Sequence, residues 1–332
     1  MVVTLKDIAK VAGVSYATVS RALTDHPDVN FETRERIKKI AKEMNYVPNP
    51  SARGLKGKNT NMIGLIVPDI SNPFFAELAL GVESFANEND YCVFLCNTNW
   101  DYEREKTYLY ILNSKRVDGI IISSVTEIAD HHTNSSIPIV YVTEGPKHDN
   151  TYYVGIDNKM GAIIVAEYLI KLGHKKIAYI GGSEKTSTNK ERFEGYKETM
   201  QKHNLSVNAN IKTTNSFSQK SGYNAAMEML IKEEIPTAVF AVNDIVALGI
   251  MQSIEEFGLN VPKDISVVGF DDISFSSMHG IKLTTISQPK FEMGRKCTDI
   301  LIKLLKNQQV PERINIFQPK LVIRNTCTAL KN

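Results

Sequence analysis

The run Thr4-Leu-Lys-Asp-Ile-Ala-Lys-Val-Ala-Gly-Val-Ser-Tyr-Ala-Thr-Val-Ser-Arg-Ala-Leu23 puts side chains suited to a polyanion on one short helix. Leu5, Ile8, Ala9 and Ala12 recur at the i, i+3, i+4, i+7 spacing of a buried stripe. Gly13 can take a positive φ and turn the chain, and Ser15 can cap the helix that follows. With Val14, Val19 and Leu23 turned inward, Tyr16, Ala17, Ser20 and Arg21 are left on the outer face. A guanidinium there matches guanine O6 and N7. Tyr16 can touch base edges, and small Ala17 permits close approach, as to a thymine methyl. Thr4, Ser15, Thr18 and Ser20 offer hydroxyls to phosphate oxygens, which fix register without reading sequence. A third helix, capped by Asn30, buries Ile37, Ile40, Ala41 and Met44 and carries Arg34, Arg36, Lys38, Lys39 and Lys42 elsewhere. This is helix-turn-helix spacing, and it predicts a small all-α DNA-binding domain over residues 1–46.

Charge distribution agrees. The 332 residues carry a net charge of only +2, yet residues 1–58 hold 11 Lys/Arg against 6 Asp/Glu. A basic head on a slightly acidic body suits polyanion binding by the head. Other chemistries lack their signatures. There is no P-loop, no Gly-x-Gly-x-x-Gly, no nucleophile elbow and no His-Glu-x-x-His. His131-His132 have no third ligand at metal spacing, and Cys92, Cys96, Cys297 and Cys327 lack the paired spacing of a zinc site. No catalytic residue, cofactor or metal is therefore expected. The rival reading, an α/β sugar-modifying enzyme, would reveal itself by turnover of candidate sugars. No apolar run reaches the length of a membrane span, and Lys6 and Asp7 interrupt any secretory segment. The expected location is the cytoplasm, with no membrane partner.

Residues 47–60 hold two prolines and two glycines and read as a linker. Beyond them apolar strand runs alternate with amphipathic helices. The strands are expected at Met62–Val67, Tyr91–Cys96, Gly119–Ser123, Ile137–Val142, Lys176–Ile180, Ala238–Val242 and Ile265–Phe270. The helices are expected at Phe74–Asn89, Tyr102–Lys115, Lys159–Leu172, Lys190–His203, Gln219–Lys232 and Ile245–Phe257. Buried strands alternating with helices imply doubly wound parallel sheets. The scheme restarts after Lys175, so two similar α/β lobes are expected over 61–332, with a ligand in the cleft between them.

The run Leu5–Leu23, then Asn45-Tyr-Val-Pro-Asn49 and Ala52-Arg-Gly-Leu55, resembles the lactose-repressor (LacI) family of bacterial regulators. The resemblance continues through Val67-Pro-Asp-Ile-Ser-Asn-Pro-Phe-Phe-Ala-Glu77, Arg116-Val-Asp-Gly119, Asn243-Asp244 and Val268-Gly-Phe-Asp-Asp272. It implies a repressor that binds a palindromic operator as a homodimer under control of a small effector. Asn49 and Pro50 would open a short hinge helix that, in the family, pairs across the dimer on DNA. Ala52 and Leu55 would then contact the minor groove, Leu55 as an apolar wedge. The core would resemble periplasmic sugar-binding proteins, with a first lobe of about 61–157 and 288–316 and a second of about 158–287 and 317–332.

That likeness assigns the effector site to Asn72, Phe74, Phe75, Arg192, Phe217, Asn243, Asp244, Asp271 and Gln288. Phe75 and Phe217 suit the apolar faces of a sugar ring. Asn243, Arg192, Asp271 and Gln288 suit its hydroxyls, while Asp244 is equally suited to capping a helix. Two departures bear on the ligand. Thr143-Glu144 stand where the ribose-type pattern has Asp-Arg, and the purine-type Arg is missing at about Thr186. A sugar is expected, of unspecified identity. The alternative within the family is a catabolite-control regulator using serine-phosphorylated HPr beside the helix Phe291–Lys306. There the phosphate-facing Arg corresponds to Asp299, whose carboxylate repels phosphate.

Overall fold

Thr4 starts the first helix with a capping box. Its backbone N–H and hydroxyl donate to Asp7 Oδ2 at 2.8 and 2.6 Å. Three helices follow, α1 (Leu5–Ala12), α2 (Tyr16–Ala22) and α3 (Phe31–Glu43). Gly13 ends α1 at φ 67°, a conformation that costs an L side chain energy. Ser15 caps α2, accepting from Thr18 N at 3.1 Å, and Asn30 caps α3. Ile8, Ala12, Val19, Ala22, Val29, Ile37 and Ala41 form the buried core, with Leu5, Ala9, Ile40 and Met44 packed at its edge. Arg34 and Arg36 lie among the basic side chains of α3 but serve the fold. They donate to the carbonyls of His26 and Val29, and of Ala12.

The computed structural model describes residues 3–46, 60–126, 137–147, 150–212, 216–232 and 234–330. The chain divides into two units, Met1–Thr60 and Asn61–Asn332. The second is built on two six-stranded sheets. The first sheet comprises β1 (Met62–Val67), β2 (Cys92–Asn97), β3 (Gly119–Ile122), β4 (Ile139–Val142), β5 (Tyr152–Ile156) and β11 (Ile314–Phe317). Its order is β11-β5-β4-β3-β1-β2, and every neighbouring pair is parallel. The second contains β6 (Ile177–Gly181), β7 (Asn208–Lys212), β8 (Ala238–Ala241), β9 (Ser266–Asp271), β10 (Thr284–Ser287) and β12 (Lys320–Val322). Its order is β12-β10-β9-β8-β6-β7, parallel except for β12.

The helices are α4 (Pro73–Glu88), α5 (Tyr102–Ser114), α6 (Asn158–Lys171), α7 (Ser187–Lys202), α8 (Gln219–Leu230), α9 (Asp244–Glu256) and α10 (Lys290–Leu305). The chain passes between the sheets after β5, before α10 and after β11. Close packing of α10 on α4 requires glycine. A Cβ on Gly81 would stand 2.1 Å from Phe291 O, and one on Gly294 would stand 2.2 Å from Leu78 O.

One expectation changes. Strands β5, β7, β10, β11 and β12 add to those expected; β11 and β12 are short edge strands without a continuous apolar run. Phe317, the last residue of β11, pairs with Ile156 in the first sheet.

Candidate functional site: an inter-lobe cleft and an exposed helical face

The carboxyl ends of strands from both sheets surround a cleft with about 570 Å³ of empty space, part of it open to solvent. Asn72, Phe74, Phe75, Arg192, Phe217, Asn243, Asp271 and Gln288 all line it. Asn72 caps α4, its Oδ1 accepting from Phe74 N at 3.0 Å. Asn243 caps α9 in the same way through Val246 N at 2.8 Å. Each amide is thereby oriented by a helix start, and its Nδ2 remains available.

Aromatic rings make the apolar wall. Phe74 meets Phe75 edge-on at 5.1 Å, Phe75 meets Trp100 at 6.3 Å, and Trp100 lies against Phe217 at 4.7 Å with a 30° tilt. Phe217 can occupy its place because residue 182 is glycine; a Cβ there would sit 2.0 Å from its ring.

A buried charge network makes the polar wall. Arg192 donates through Nε to Asn158 Oδ1 at 2.9 Å and through Nη1 to Val242 O. Its Nη2 lies 3.7 Å from Asp271 Oδ1, and its guanidinium stacks 3.6 Å from the Phe270 ring centre. Gln288 Nε2 also donates to Asp271 Oδ1, at 2.6 Å. Burial pushes the Asp271 carboxyl up to about 7 against the pull of Arg192. Asp271 and Asp272 both hold positive φ, 128° and 52°. The buried Lys290 ammonium steadies them, donating to their carbonyls at 2.9 and 2.8 Å. Backbone strain of this kind, worth about 1–3 kcal/mol per residue, concentrates at ligand sites.

Asp244 is a correction: it does not line the cleft. It is fully buried, and its oxygens accept from Ser276 Oγ, Thr285 Oγ1 and Ile273 N. The carboxylate fastens the start of α9 to the segment after β9, and its complete burial keeps it from a ligand in the cleft. Cleft residues that the sequence did not assign are Trp100, Ser123, Ser124, Thr143, Glu144, Ile156, Asn158, Thr186 and Thr188. Trp100, the chain's one tryptophan, offered a signal. Thr143, Glu144 and Thr186 stood out only as departures from the family's ligand patterns, and Ser123, Ser124 and Thr188 offered no signal, since such residues are common on any surface.

In the first unit, Tyr16, Ala17 and Arg21 are exposed on α2 and Ser20 is half-buried. The hydroxyls of Thr4, Ser15 and Thr18 are engaged in caps, Ser15 and Thr18 bonding each other at 2.9 Å. Ala52 and Leu55 lie outside the described residues.

A two-lobed α/β unit with a polar-aromatic cleft, joined to a helix-turn-helix unit, defines a ligand-regulated DNA-binding protein. Comparison with known proteins names the group. Residues 4–49 match the model of bacterial regulatory proteins of the lacI family, and residues 60–325 match that of periplasmic binding proteins and the sugar-binding domain of the LacI family. The chain belongs to the LacI family of bacterial transcriptional regulators. It is 37% identical to the HTH-type transcriptional repressor PurR of Vibrio campbellii, over 98% of this chain and 99% of that one. Among solved structures it is similar to the Lac repressor dimer bound to operator and the anti-inducer ONPF. The TM-score there is 0.87 and the identity 30%, covering 99% of this chain and 100% of that one. A LacI family regulator from Enterococcus faecium with bound ribose gives a TM-score of 0.74 at 28% identity, covering 81% and 100%. The family is one of regulators rather than enzymes. Among the described residues no helix is long and apolar enough to cross a membrane.

Proposed function

We propose that the chain is a cytoplasmic repressor that binds a near-palindromic operator as a homodimer and is switched by a sugar held in the cleft. Residues 1–46 read the DNA, 47–60 form the hinge, and the two lobes of 61–332 bind the effector. The observation that carries this reading is the cleft itself. Phe75, Trp100 and Phe217 supply faces for an apolar ring surface, and Asn72, Arg192, Asn243, Asp271 and Gln288 supply donors and acceptors for hydroxyls. The bound ribose of the Enterococcus faecium relative supports a sugar. Arg21 and Tyr16 read base edges from the major groove, Ala17 lets them approach, and Ser20 joins the hydroxyls at the backbone. Edge strand β2 leaves Phe94 and Leu95 exposed, an apolar patch that a second copy can cover.

The test has two arms on the purified full chain. Selection from random duplexes is expected to yield a two-fold symmetric site, and a sugar is expected to change affinity for that site while quenching or shifting Trp100 fluorescence. Enrichment of no sequence would end the reading.

A further inference from the structure

We propose that Glu144 is the residue that restricts the cleft to uncharged ligands. Its carboxylate comes from the first lobe and occupies the N-terminus of α7 in the second, the place where an anionic group on a ligand would be held. The inference rests on the reading of the cleft as an effector site and specifies the ligand's charge.

Helix α7 begins at Ser187, yet Thr186 before it makes no side-chain cap bond. The cap comes from 43 residues away. Glu144 Oε1 accepts from Ser187 N at 2.9 Å and Oε2 from Thr188 N at 3.1 Å. Thr188 Oγ1 donates to the neighbouring Thr143 carbonyl at 3.3 Å. A helix N-terminus carries partial positive charge and open N–H donors, the usual receptor for a phosphate or carboxylate. Here Glu144, Thr186 and Thr188 all line the cleft, so this terminus is part of its wall and is already filled.

The cleft's cation already has an anionic partner. Arg192 donates to Asn158 Oδ1 and Val242 O, and its Nη2 lies 3.7 Å from Asp271 Oδ1. Lys147, three residues along from Glu144, is paired with Glu191 at 2.6 Å. Lys290 spends its ammonium on the carbonyls of Asp271, Asp272 and Gln288. Glu144 is 4% exposed, so its field is poorly screened by water. An incoming anion meets the Glu144 carboxylate at the filled terminus, and among the described lining residues no cation without a partner. A hydroxylated neutral ring meets the side-chain amides of Asn72 and Asn243.

The probes are inorganic phosphate, D-ribose and D-ribose 5-phosphate, titrated by calorimetry into the full chain and into Glu144→Ala and Glu144→Gln. Glu144→Ala is expected to bind phosphate at least about tenfold more tightly than the parent, the scale of a charge at a helix terminus. Glu144→Gln, which keeps the size and one acceptor, is expected to fall between them. A parent protein that binds phosphate as tightly as Glu144→Ala, or that prefers ribose 5-phosphate to ribose, overturns the inference without recourse to any variant. So does a folded Glu144→Gln with no gain, should Glu144→Ala not fold. If neither sugar binds the parent while the variants gain phosphate, the charge assignment stands and only the sugar reading falls.

Discussion

Arg21 and Arg192 are the same residue type in opposite surroundings. Arg21 stands exposed on α2, and its guanidinium has no hydrogen-bond or ion-pair partner among the described residues. Arg192 is 4% exposed and bonded to Asn158, Val242 and Asp271, so the side chain proposed to meet a ligand also holds the second lobe together. The contrast extends to the two regions. The α2 face proposed to read DNA is a surface whose bonds would come from a partner, whereas the cleft is an interior largely bonded to itself. Function and stability should therefore separate in the head and remain coupled in the core.

The largest effect is expected in the core. Asp244→Ala leaves three buried donors without an acceptor and should cost about 3 kcal/mol of stability in denaturant unfolding. Near-normal stability would mean that the bonds to Ser276, Thr285 and Ile273 contribute little. Arg21→Ala should behave in the opposite way. Operator discrimination measured by anisotropy should fall by about 1–3 kcal/mol, with unfolding unchanged within about 0.5 kcal/mol. Equal losses in both measurements would erase the distinction between the regions.

Acidity sharpens the comparison further. Asp271 is raised from 3.8 to about 7, so the folded protein holds a proton that the unfolded chain gives up across that window. Its contribution to stability is complete below about pH 4 and is lost as pH rises through 7. A ligand whose hydroxyls donate to the ionised carboxylate follows the reverse trend, binding about tenfold more weakly at pH 6 than at pH 8. Flat affinity over that range would remove Asp271 from ligand contact. The smallest effect concerns the head's scaffold: Ser15→Ala removes the α2 cap and should cost about 1 kcal/mol of its thermal stability.

Much of the fold was legible because its signals are local. The stripe through Ile8 and Ala12, the turn at Gly13 and the caps at Ser15 and Asn30 each act within one or two helical turns. The head could thus be read from spacing alone, and so could the alternation of strands and helices. The start of α7 could not be read this way. The expected helix began at Lys190, three residues late, because its cap is the distant Glu144 rather than a neighbouring serine or aspartate. Asn243 and Asp244 show the same limit. They are adjacent polar residues with similar prospects, both buried, and only the positions of Ser276 and Thr285 tie Asp244 away from the cleft that Asn243 lines.

The sequence by itself determined the helix-turn-helix, the doubly wound lobes and the residue types available to a ligand, since periodicity and capping are short-range. Tertiary structure decided which of those residues meet. Trp100 faces Phe217 across 117 residues of chain, and Glu144 reaches α7 from the other lobe. Contacts between segments so far apart depend on how the sheets are stacked and crossed, and no local pattern records that.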